Sequence, residues 1–227
     1  MTDLPVGPAL PDWSAAARPE RVTLEGRFCR LEPLNADQHS AALFDAFRRS
    51  EDDAIWTYLG YGPFESADEL ERWHRSFCSG DDPLFFAIVD ASNGAIVGQG
   101  SYLRIHPEAG SIEVGHLCYS PLLQRSAAST EAMYLLMRYA FSLGYRRYEW
   151  KCDALNAASR RAAERLGFSY EGTFRQALVY KGRNRDTAWY SILDGEWPAL
   201  QANFERWLDP QNFDADGRQL TSLQARG

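Results

Sequence analysis

Two stretches that open helices directly after strands constrain this 227-residue chain more than anything else in it. The first, Gln124-Arg125-Ser126-Ala127-Ala128-Ser129-Thr130, follows an apolar run that ends near Tyr119. It leads into a helix whose buried stripe is Ala132, Met133, Leu136 and Tyr139/Ala140. The second, Asn156-Ala157-Ala158-Ser159, follows the run from Tyr148 to Asp153. Its helix stops at Leu166-Gly167-Phe168, where Gly167 suits a left-handed cap. Strands joined through a helix in one sheet are parallel neighbours, connected by a right-handed crossover. Each helix opening also presents unpaired N–H groups and a partial positive charge, a combination that holds phosphate.

The rest of the chain fits around this unit. Residues 1–26 hold Pro, Gly and Ala without periodicity and read as an N-terminal arm. A strand is expected from Arg27 to Leu34, then a helix capped by Asn35 or Asp37 with Leu43, Phe44 and Phe47 inward. An aromatic loop, Ile55 to Phe64, precedes a second helix starting at Ser66 or Asp68, with Leu70, Trp73 and Phe77 on one face. Leu84–Val89, Ile96–Ile105 and Ser111–Tyr119 form an antiparallel meander, turned at Asn93-Gly94 and Gly110. Strands Phe168–Tyr180 and Thr187–Leu193 make a hairpin around Gly182-Arg183-Asn184. The fold class is therefore α+β: a mixed, mostly antiparallel sheet with one parallel pair, flanked by helices. The main domain spans 27–194. Residues 195–227 supply a helix carrying Trp197, Leu200, Phe204 and Trp207, and then a polar tail. The C-terminal strand and helix, with Trp189, Trp197 and Trp207, could build a homodimer interface or close the monomer's own core.

A net charge of −7 argues against nucleic-acid binding, and the apolar runs are too short to span a membrane. With no signal-peptide pattern, the expectation is a cytoplasmic protein. Cys29, Cys78, Cys118 and Cys152 are widely spaced, which speaks against disulfides and a zinc site, and no metal is expected. The charge is uneven. Arg125, Arg138, Arg146, Arg147, Lys151, Arg160, Arg161 and Arg165 outnumber the acids between residues 120 and 165, around both helix openings. That segment suits a long anionic ligand with phosphates at one end and a thioester at the other, which describes acyl-coenzyme A.

Here the sequence resembles the GCN5-related N-acetyltransferases, specifically the group that acetylates ribosomal-protein N-termini, over roughly residues 22–195. The family's coenzyme A motif, Gln/Arg-x-x-Gly-x-Gly/Ala, reads Gln124-Arg125-Ser126-Ala127-Ala128-Ser129, with Ala127 and Ser129 at the small positions. Thr130-Glu131-Ala132 continues it. Asn156-Ala157-Ala158-Ser159, Gly167-Phe168 and Glu171-Gly172 match the later signature. The resemblance implies acetyl-CoA as co-substrate and direct transfer of acetyl to an amine. It also implies a splay between the parallel strands that exposes backbone at Leu117, Cys118 and Tyr119 to pantetheine. Asn156 and Arg160 would add cofactor contacts.

Glu113, a carboxylate in an otherwise apolar strand, is the leading general base, since burial raises such a pKa; the competing structural role is an ion pair with an arginine. His116 would face away from Glu113 in a regular strand, and Asp153 is a third candidate. Ser159 matches the family position that protonates the departing sulfur, and it also fits a helix-capping role. Cys118 and Cys152 read as small core residues. Trp56, Tyr58 and Tyr61, near the acidic run Glu51-Asp52-Asp53, suit a cationic amine. Transfer of succinyl or another acyl group, and a non-catalytic acyl-CoA-binding module, are the alternatives.

Overall fold

The computed structural model describes residues 4–223. The strands are β1 (Leu24–Glu25), β2 (Cys29–Pro33), β3 (Leu84–Asp90), β4 (Ile96–His106), β5 (Ser111–Tyr119), β6 (Arg147–Asp153), β7 (Ser169–Tyr180) and β8 (Arg183–Leu193). The helices are α1 (Ala36–Phe47), α2 (Ala67–Phe77), α3 (Ala127–Ser142), α4 (Ala157–Arg165) and α5 (Trp197–Trp207). One eight-stranded sheet runs β1-β2-β3-β4-β5-β6-β8-β7, in which only β5 and β6 are parallel. Tyr148, Trp150 and Cys152 face the larger core under α3, α4 and α5. A second cluster, with Leu43, Trp56, Leu70, Phe85 and Cys118, lies on the opposite face under α1 and α2.

The caps follow side-chain chemistry. Asn35, not Asp37, caps α1, its carbonyl accepting from the Asp37 and Gln38 N–H groups at 3.0 and 3.1 Å. Ser66 caps α2 by accepting from Glu69 N. The β7–β8 turn sits at Lys181-Gly182, one residue earlier than expected. Both residues have positive φ, 47° and 69°, as a two-residue hairpin requires, so β8 begins at Arg183. The arm lies against the body: Ala16 N donates to Pro107 O, Ala17 N to Leu143 O, and Glu20 N to Tyr139 Oη. Trp13 packs under the Arg146 guanidinium. α5 buries Trp197, Leu200, Phe204 and Trp207 in the chain's own core. The tail folds back so that Phe213 packs edge-on against Phe28 and Trp207.

Glu131 ties α3 to the β1–β2 turn. Its carboxylate accepts from the backbone N–H groups of Arg27, Phe28 and Cys29 at 2.8, 2.6 and 2.9 Å. Gly26 permits that approach, since a Cβ there would stand 2.5 Å from Glu131 Oε2.

Two irregularities shape the middle of the sheet. The β5–β6 register pairs Ser111–Val114 with Arg147–Trp150 and then stops, while β5 continues to Tyr119 and β6 to Asp153. Beyond Val114 the two strands part, leaving a V-shaped gap with backbone on both sides. On the other edge of β5, Gly115 pairs with Ser101 and Cys118 with Gln99, which places one extra residue in β5. His116, at φ 51°, is in this bulge.

Candidate active site

The first helix opening stands at the wide end of the gap. Gln124 Nε2 donates to Tyr119 O at 2.9 Å and anchors the loop to the end of β5. Arg125 takes the left-handed conformation at φ 59°, and Ser126 is the cap. Ser126 Oγ accepts from Ser129 N and donates to Leu123 O. Ala127 is the first residue of α3, so the backbone there is already helical and glycine's freedom is not needed. The Ala127 and Ala128 N–H groups have no intrahelical acceptor and point out of the helix mouth. The Ser129 hydroxyl back-bonds to Ser126 O at 2.7 Å. The Ala128 and Thr130 side chains are buried, and Thr130 Oγ1 accepts from Arg165. This loop therefore offers backbone N–H groups and the exposed Arg125, not a set of side-chain hydroxyls.

The second opening flanks β6. Asn156 Oδ1 accepts from Ser159 N at 3.0 Å and caps α4. Ser159 Oγ accepts from the Trp150 indole at 3.0 Å, which leaves the hydroxyl's own proton available to donate, and it lies beside the Cys152 thiol. Arg160 is held by the protein, donating to Tyr190 Oη at 3.1 Å and lying over the Tyr170 ring. Burial pushes the thiols of Cys118 and Cys152 upward from their ordinary value, so both are poor nucleophiles.

The opposite face of the gap carries charge. Glu113 is buried, but its surroundings are not the apolar ones expected from sequence: Oε2 accepts from Arg104 Nη1 and Lys151 Nζ, each at 2.7 Å. Lys151 also pairs with Glu149 at 2.8 Å and lies 3.7 Å from the centre of the Trp189 ring. Arg104 is not among the residues the sequence singled out, and Lys151 figures there only as one of the basic residues around the helix openings. Lys151 alternates with the core-facing Trp150 and Cys152, and that pattern places it on this face. Arg104 is turned here by a left-handed backbone, φ 47°, whose N–H donates to Asp82.

The bulge in β5 overturns the regular-strand expectation for His116. Ile112 and Val114 pack with the larger core, whereas Cys118 packs with the α1–α2 cluster, so the extra residue brings His116 onto the face of Glu113. Gly115 beside it was the sequence signal for such a bulge. The imidazole sits among the rings of Tyr61, Phe77 and Phe85 at 5.7, 5.3 and 5.1 Å. Burial first, and the Arg104 charge second, depress its pKa to about 4. Burial likewise depresses His74 to about 4, although its Nε2 meets Gln99 Oε1 at 2.9 Å.

The depressed pKa values of His74 and His116 make the stability of the fold depend on pH. Both are neutral in the folded chain at pH 6.5, whereas the unfolded chain binds their protons near that pH. Stability is thus fully present above about 6.5 and falls as pH drops from 6.5 towards 4, by up to ~3 kcal/mol for His74 alone. Imidazole resonances of His74 and His116 that titrate near 4, with urea midpoints falling across the same window, are the expected result; titration near 6.5 would contradict it.

The three aromatic candidates separate. Trp56 is buried and packs edge-on against Phe47 and Phe64. Tyr61 packs at a tilt against Trp73, ring centres 4.2 Å apart, its buried hydroxyl beside Gln99. Tyr58 reaches the loop after β6, where its hydroxyl donates to Leu155 O. Asp153, at the end of β6, accepts from Tyr180 Oη and Leu155 N, each at 2.8 Å. Among the described residues, no helix is long and apolar enough to cross a membrane.

Comparison with known proteins places this geometry. The pattern of the acetyltransferase (GNAT) domain matches residues 29–169. The chain is 50% identical to a GCN5-related N-acetyltransferase from Brucella melitensis, with a TM-score of 0.91 over 95% of this chain and 98% of that one. A "probable acetyltransferase (GNAT family)" from Chromobacterium violaceum is 43% identical, with a TM-score of 0.80 over 86% of this chain and 98% of that one. A ribosomal-protein-S5-alanine acetyltransferase from Vibrio fischeri, 17% identical over 78% of this chain and 98% of that one, has a TM-score of 0.61 and shares the fold alone. No curated protein matches the chain. With the parted parallel strands, the helix mouth beside them and these two close relatives, the chain belongs to the GNAT acetyltransferase family.

Proposed function

We propose that the chain transfers acetyl from acetyl-CoA to a primary amine, a protein N-terminus or a small molecule, by direct attack in a ternary complex. The observation that carries this reading is the register of β5 and β6, which ends at Val114 and Trp150 while both strands continue. Pantetheine would pair with the backbone that Leu117, Cys118 and Tyr119 turn away from β4 and towards the gap, and its pyrophosphate would meet the N–H groups of Ala127 and Ala128. The amine approaches from the other face, where Glu113 and His116 stand. Its nitrogen bonds to the thioester carbon as the carbon–sulfur bond breaks. Glu113 takes the amine proton through water, using Oε1, since both cations bond Oε2. An N–H near Leu117 or Cys118 polarises the carbonyl. Ser159 gives its proton to the departing sulfur and is reprotonated from solvent, to which Glu113 returns the proton it took. His116, neutral and on the same face, is the second candidate for the base.

Thiol release from acetyl-CoA that depends strictly on added amine, with no acetyl-enzyme visible by intact mass, is the expected behaviour. Cys118→Ala and Cys152→Ala each retain turnover within about threefold, because burial makes these thiols poor nucleophiles. An acetylated cysteine formed without amine, abolished by either substitution, would replace the ternary complex with a two-step route.

A further inference from the structure

A small chamber stands on the amine side of the gap, beyond the groups assigned to proton transfer. It has a volume of about 330 Å³, and its walls include Tyr58, Asp153, Leu155, Tyr180, Lys181 and Arg183. It is open to solvent, and three hydrogen bonds span its walls. Lys181 Nζ donates to Trp56 O at 2.8 Å, Tyr180 Oη donates to Asp153 Oδ2 at 2.8 Å, and Tyr58 Oη donates to Leu155 O at 3.3 Å. The tip of the β7–β8 hairpin is thereby clamped onto the loop between α1 and α2.

Those bonds engage the Lys181 ammonium, the Asp153 carboxylate and both tyrosine hydroxyl protons. They leave Arg183. Its side chain is exposed and, among the described residues, takes no ion pair or side-chain hydrogen bond, although it lines the chamber. The surrounding hairpin, residues 174–187, carries Arg175, Lys181, Arg183 and Arg185 against the single acid Asp186, in a chain of net charge −7. Asp186 is itself bonded, accepting from Gln176 N and Asn184 Nδ2. The acidic run Glu51-Asp52-Asp53, which would suit a polyamine, contributes nothing to the chamber lining.

We infer that the amine acceptor carries an anionic group, a carboxylate or a phosphate, that is bound by Arg183 while the amine reaches the thioester. This rests on the acyltransferase reading above and adds the acceptor's class to it. Lys151, which touches Glu113, and Asp153, which lines the chamber, are two residues apart on β6, about 7 Å between their backbones. The chamber is thus offset along β6 from Glu113, which favours an acceptor whose amine and anion stand on a chain of several bonds, as in a dipeptide or an ω-amino acid. The apolar parts of Leu155 and the two tyrosine rings suit an uncharged middle.

The test uses the full chain saturated with coenzyme A, and titration calorimetry with matched probes: glycyl-leucine against its carboxamide, 3-aminopropyl phosphate against 3-aminopropanol, and spermine. The carboxylate pair and the phosphate pair show which anion is read. At least one anionic probe is expected to bind about tenfold or more tightly than its uncharged partner. Arg183→Ala removes that difference, leaves the uncharged probe unchanged and leaves acetyl-CoA affinity unchanged. Equal binding of both members in both pairs, tighter binding of spermine, no binding of any anionic probe, or discrimination that survives Arg183→Ala each overturns the inference. The acyltransferase reading fails separately, by loss of acetyl-CoA binding itself. Amine-dependent thiol release that prefers uncharged amines keeps that reading and sinks this one.

Discussion

Glu113→Gln lowers amine-dependent turnover by about two to three orders of magnitude and leaves acetyl-CoA affinity within about twofold, the range expected for loss of a general base. The same change removes the negative charge that pairs with Arg104 and Lys151, so it also destabilises. Arg104 is half exposed and Lys151 keeps Glu149, which places the cost at the low end for breaking a buried pair, about 3 kcal/mol. The two effects are separable. Turnover per folded molecule, measured well below the unfolding midpoint, reports the chemistry, and the midpoint reports the ion pairs. A variant that loses stability but keeps turnover would make Glu113 a structural charge and move the proton to His116. His116→Ala would then carry the large loss instead.

The largest stability effect is expected at Glu131, far from the proton chemistry. Its carboxylate satisfies three backbone N–H groups at the β1–β2 turn, and all three are lost together in Glu131→Ala. Hydrogen bonds to a charged acceptor are each worth about 1.5–3 kcal/mol, and unsatisfied buried donors add a penalty. A total of about 4.5 kcal/mol or more, or a midpoint fall of more than ~9 °C for a chain of this size, is the expected outcome. Glu131→Gln should recover part of it, because the amide oxygen still accepts. A fall below ~1 kcal/mol in the alanine variant would mean that water takes over the three donors.

Much of this was legible in the residues. Alternation, caps and turn chemistry place the meander, the crossover through α3 and the hairpin, because each is set by local spacing and short-range hydrogen bonding. The helix openings were equally plain, since Ser126 and Asn156 cap where capping residues stand in the sequence. What the sequence did not disclose depends on contacts across the sheet. The partners of Glu113 come from β4 and β6, on either side of its own strand, so no local pattern could pair them. The orientation of His116 turns on one extra residue in β5, and a single-residue bulge reverses every parity argument beyond it. Trp56 and Tyr61 read as ligand-facing because aromatic residues fill cores and line sites equally well; the packing of α1 on α2 puts both inside.

The gap between β5 and β6 as an acyl-CoA site is tested most directly by thermal unfolding with saturating acetyl-CoA, run beside ATP and NAD. At about 100 times the dissociation constant, binding adds ~2.7 kcal/mol, a midpoint rise of roughly 5–10 °C for a chain of this length. A rise with acetyl-CoA and none with the other two is the predicted result. No rise with acetyl-CoA, or an equal rise with ATP, would mean that the parted strands and the Ala127–Ala128 mouth do not form a coenzyme A site.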